Sequence, residues 1–84
     1  MKCVLLFSSV HQVMRTEKLL KEKGIEVDLI PVPREINSDC GVAVELDTGS
    51  GEEALKILGE NKISFLECYV RNSSGRFELK KRDT

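Results

Sequence analysis

The stretch PVPREINSDCG, residues 31–41, gathers two prolines, an arginine, acids, a cysteine and a glycine between two segments of alternating apolar sequence. Its chemistry centres on Cys40, a thiol in a polar connection beside a glycine that permits close backbone approach. A cysteine acts as a nucleophile in its thiolate form, which nearby cations and oriented backbone amides favour. Arg34 and the amides around Gly41 can supply these, while the carboxylate of Asp39 opposes them and Ser38 adds a hydroxyl. His11 is the sole histidine and is distant in sequence, so neither a Cys-His-Asn nor a Cys-His-Asp arrangement is indicated. An exposed thiol without a catalytic partner is suited to carrying a group or sensing an oxidant.

The other candidates read as structure. Cys3 and Cys68 lie in apolar runs, where a free cysteine behaves as a small hydrophobe with an inert thiol. The three cysteines form no C-x-x-C or Cys/His pattern, which argues against both a disulfide framework and a structural zinc site, and a thiol that carries a group needs no cofactor. His11 is expected on the surface of a first helix. Glu17 is expected to pair with Arg34 or to reach water, and the terminal KKRDT is read as a solvated tail.

The surrounding elements must position the 31–41 segment. Lys2 to Phe7 is a short apolar strand, and Ser8 and Ser9 can cap a helix in which Val10, Val13, Met14, Glu17, Leu20 and Lys21 recur at helical spacing up to a stop at Gly24. Val27, Leu29 and Pro31 alternate as a second strand that Pro33 ends, and VAVELD after Gly41 is its hairpin partner. Ser50 and Glu53 have capping-box spacing ahead of a helix lined by Ala54, Leu55 and Leu58. Phe65 to Val70 is a further strand, returned through the Asn72–Gly75 turn into RFEL.

This β-α-β-β-α-β order predicts an α+β, ferredoxin-like split β-α-β sandwich: an antiparallel sheet, two helices on one face and a C-terminal hairpin, as one domain over residues 1–84. Val42, Val44, Leu46, Leu66, Cys68 and Val70 are assigned to the helical face. Ala43, Glu45, Phe65, Glu67 and Tyr69, with Val4 and Leu6 in one register, fall on an uncovered face that is solvent-exposed or a contact between two copies.

Composition limits the partners. With 13 Lys and Arg against 14 Asp and Glu the net charge is −1, without the positive excess of a nucleic-acid surface. The run from Cys3 to Phe7 is far too short for a membrane span or signal peptide, so a cytoplasmic protein with reduced thiols is expected.

FSSVHQVMRTEKLLKEKGI followed by IPVPREINSDCGVAVEL resembles the selenium/sulfur (Se/S) carrier protein-like family, whose hallmark is a P-x-P-R segment leading to S-x-C-G. Pro31, Pro33, Arg34, Ser38, Cys40 and Gly41 stand in the family's positions, and the likeness covers nearly the whole chain. His11-Gln12 departs from the small residues usual at the helix opening. The resemblance implies a non-catalytic carrier that holds sulfur or selenium on Cys40 as a persulfide or selenopersulfide. A cysteine or selenocysteine lyase would be the donor and a second enzyme the acceptor. Two other functions use the same frame: a small-ligand-binding regulatory module, and a redox sensor resolved by a partner's thiol.

Overall fold

The computed structural model describes residues 1–36 and 41–82. Their elements are β1 (Lys2–Leu6), α1 (Val10–Glu22), β2 (Asp28–Pro31), β3 (Val42–Asp47), a 3-10 turn (Thr48–Ser50), α2 (Gly51–Glu60), β4 (Glu67–Arg71) and β5 (Phe77–Arg82). The five strands form one sheet in the order β2-β3-β1-β4-β5, with every pairing antiparallel. The α1 crossover from β1 to β2 straddles β3, and the α2 crossover from β3 to β4 straddles β1. The central place of β1 accounts for its composition: a strand covered on both faces reads as a continuous apolar run, and Cys3 to Phe7 are all buried.

Both helices lie on one face. Val13 and Leu20 of α1 and Ala54, Ile57 and Leu58 of α2 share a core with Leu5, Val44, Leu46 and Cys68 from the sheet. The Ser9 hydroxyl accepts the Gln12 N–H at 3.3 Å to cap α1, and Gly24 takes the left-handed conformation that stops it, φ +82°. The buried stripe of α1 is rotated from the expected one. It runs through Val13, Thr16 and Leu20, while Val10 and Met14 face solvent. Glu17 pairs with Lys21 at 3.1 Å, one turn along the same helix, rather than with Arg34.

The capping box expected at α2 does not form. Residues 48–50 wind into the 3-10 turn, and the Ser50 side chain makes no cap hydrogen bond. The opposite face of the sheet is also drier than its sequence indicates. Val4, Leu6 and Ala43 are buried there under Ile36, with Ile30, Val32, Tyr69 and Phe77 packed around them. Phe65 precedes β4 and turns into the helical core, leaving Leu66 exposed, which is the reverse of the alternation expected of a strand beginning at Phe65.

At the C-terminal edge, Asn72 Oδ1 accepts the Ser74 and Arg76 amides and shapes the β4–β5 turn, where Gly75 has φ +83°. The basic segment is no tail. β5 continues through Lys80 and Lys81 to Arg82, with a register shift opposite Cys68 and Tyr69 that leaves Lys80 unmatched.

Candidate functional site

Leu6 pairs with Ala43, and Pro31 pairs with Val42. The exit of β1, the start of α1 and the described parts of the connection between β2 and β3 are thereby brought to one end of the sheet. The described parts of that connection are anchored at three points. The Val32 N–H donates to the Gly41 carbonyl at 3.1 Å, continuing the β2–β3 ladder beyond the strands. The Ile36 N–H donates to the Pro33 carbonyl at 2.9 Å, closing a turn whose exposed tip is Arg34-Glu35. The Ile36 side chain is only 5% exposed and lies under the sheet against Val4, Leu6 and Ala43.

Gly41 has φ +76°, a region that side chains other than glycine enter at a cost of about 1–2 kcal/mol. Among the described residues nothing lies within 4 Å of where its Cβ would stand, so the requirement they impose is conformational and not steric.

Of the expected site residues, Arg34 and Gly41 are therefore placed on one connection, at its turn and at its return to the sheet. Cys40, Ser38 and Asp39 lie outside the described residues. Arg34 presents its guanidinium to solvent and makes no ion pair among the described residues. His11 is exposed in the first turn of α1, and no group of three His, Cys, Asp or Glu side chains able to hold a metal occurs among the described residues. The residue that sequence reasoning passed over is Ile36. The available signal was an isolated β-branched apolar side chain within an otherwise polar connection.

A second thiol-bearing place lies elsewhere. Cys3 faces Val70 and Cys68 faces Leu5, so the two cysteines are diagonal neighbours on the helical face of adjacent strands. Both are buried, as expected, but their thiols meet, one donating to the other. The neighbouring Cys68 sulfur, together with burial, holds the Cys3 thiol far above its ordinary value. The hydrogen bond from Cys3 lowers Cys68 against the effect of burial, and the charge of Lys81 acts in the same direction.

A model of the family described as "Putative Se/S carrier protein-like" matches residues 2–70. The chain belongs to this family. The match runs from β1 through β4 and takes in the whole 31–41 connection, whereas β5 lies beyond it. No curated protein and no solved structure matches the chain. No helix among the described residues is long and apolar enough to cross a membrane.

Proposed function

We propose that this chain is a sulfur or selenium carrier whose cargo is held on Cys40. The observation that carries the reading is family membership across the segment containing Cys40, joined to a connection pinned on both sides of that residue. A carrier thiol has to be presented to two enzymes in turn, which favours an exposed position on a fixed base. Ile36, the Val32–Gly41 hydrogen bond and the glycine conformation at Gly41 provide such a base.

In loading, the Cys40 thiolate attacks the outer sulfur of a donor persulfide, E–S–SH. The donor leaves as its thiolate, and Cys40–S–SH forms. In unloading, an acceptor thiolate attacks that outer sulfur and restores the Cys40 thiolate. Selenium follows the same course as a selenopersulfide. No net oxidant is consumed in either step. Arg34 stabilises the terminal chalcogen anion as a permanent cation, and Ser38 and the Gly41 amide contribute polar contacts. The donor is a cysteine or selenocysteine lyase and the acceptor a thiol enzyme, both working in the cytoplasm.

We read the frame as ferredoxin-like and as one domain. Its support is the sheet order β2-β3-β1-β4 with two split crossovers, to which β5 adds a fifth strand at the edge. Incubation with a lyase and its amino-acid substrate, followed by peptide mass analysis, tests the function. A reductant-labile sulfur or selenium on Cys40 is expected. Equal loading of the Cys40→Ser variant contradicts the proposal.

A further inference from the structure

Near the opposite end of β1 from Leu6, Cys3 and Cys68 line a cleft of about 370 Å³ together with Thr48, Gly51, Glu52, Lys80 and Lys81. Strand pairing fixes this arrangement. Cys3 and Cys68 project from adjacent strands to the same face, Lys81 stands opposite Cys68 on β5, and the register shift after Cys68 brings Lys80 to the same cleft. On the other side, the first residue of α2 is a glycine, and a Cβ there would stand 3.4 Å from the Cys3 sulfur. The start of the helix thus leaves room for the sulfur and whatever it binds.

Two thiols side by side can close as a disulfide or grip something between them. Diagonal residues on paired antiparallel strands have Cα atoms about 7–8 Å apart. A disulfide prefers a Cα separation of about 5.5–6 Å and is not formed beyond about 7 Å without backbone movement. The register therefore disfavours direct closure, while the two thiols lie close enough to interact and to share one bridging ion. Zinc would require further donors, and no third His, Cys, Asp or Glu joins the pair among the described residues. A soft monovalent ion with a filled d shell is satisfied by two thiolates in a near-linear arrangement.

We propose that Cys3 and Cys68 form a two-thiolate site for a soft monovalent cation of the Cu(I) class, independent of Cys40. Binding joins Cu(I) to both sulfurs and sends the two thiol protons to water, with no change in oxidation state. The resulting bis-thiolate complex carries one negative charge, and among the described residues at the cleft the two ammonium groups of Lys80 and Lys81 outnumber the one carboxylate, Glu52. Burial of both sulfurs shields the complex from competing water and oxidant.

The test uses the full-length Cys40→Ser variant, reduced and anaerobic, titrated with Cu(I) against a chromophoric Cu(I) chelator. Native mass spectrometry and X-ray absorption at the copper edge provide the readouts. Binding of a single copper by two sulfur ligands is expected. Adding Cys68→Ala should weaken it by at least about tenfold, as expected when one of two ligands is lost. Because that substitution alters the core, circular dichroism must show a native fold. Lys81→Gln, at an exposed position, provides a second arm and should lower affinity by about threefold to tenfold. Absence of copper binding by the Cys40→Ser variant, undiminished binding by the folded Cys68→Ala form, or unchanged affinity in Lys81→Gln would each overturn the assignment.

Discussion

The Val32 N–H and the Gly41 carbonyl meet at 3.1 Å, so the connection that contains Cys40 leaves and re-enters the sheet at a single point. Gly41 makes this return in the left-handed region, φ +76°, with no described residue crowding its α-carbon. Gly41→Ala should destabilise the fold by about 1 kcal/mol, and Gly41→Val by more because its branched side chain is more restricted. Urea denaturation measures the loss, and both variants should load Cys40 more slowly. Parent-like stability and loading in Gly41→Val would remove the glycine from the account.

Ile36 anchors the same connection from beneath. Truncation to alanine should leave a cavity against Val4, Leu6 and Ala43 and lower stability by about 2–4 kcal/mol. Amide hydrogen exchange should then rise first in residues 32–36 and 41–43. Exchange that rises uniformly across the sheet would show that Ile36 supports the core and not the connection.

The legibility of these features differed for physical reasons. Strand and helix order could be read because periodicity and punctuation agreed, as in Ser9 before α1 and Gly24 after it. The rotation of α1 could not, because the expected stripe runs through Val10 and Met14, which are exposed, and omits Thr16, which is polar yet fully buried. β5 was cut short because Lys80, Lys81 and Arg82 look like a tail, yet charged side chains are what an exposed edge strand tolerates. Of the candidate site, Arg34 and Gly41 are singled out by residue type and by the family resemblance, and the structure places both on one connection. The pairing of Cys3 with Cys68 depended on strand register, which no local pattern encodes.

The Thr16 hydroxyl is fully buried and has no hydrogen-bond partner among the described residues. Thr16→Val keeps the shape and β-branching while removing the unpaired polar group, so it should stabilise the protein by about 1 kcal/mol. A lower melting temperature in the variant would mean that the hydroxyl is satisfied in solution.

The Cys3 thiol is held well above its ordinary value, so the folded protein keeps that proton where the unfolded chain loses it. Its contribution to stability is complete below the unfolded thiol value of about 8.5 and declines as pH rises beyond it. Cys68 is shifted down and acts with the opposite sign, adding stability above the same value. Comparing Cys3→Ala in the Cys68→Ala background isolates the first effect. The difference in unfolding free energy between Cys68→Ala and the double variant should reflect only the burial of Cys3, and its pH dependence above about 8.5 should be smaller than that between the parent and Cys3→Ala. Identical pH profiles for the two comparisons would show that the thiols do not interact.

The central claim is that Cys40 is the carrying thiol, and the most direct measurement is the mass of each cysteine-containing peptide after exposure to a lyase and its substrate without reductant. The account predicts an added sulfur or selenium on the Cys40 peptide, removed by dithiothreitol, with the Cys3 and Cys68 peptides unmodified, and slower accumulation in Arg34→Ala. An unmodified Cys40 peptide with every lyase tried, or equal modification of all three cysteines, would contradict it.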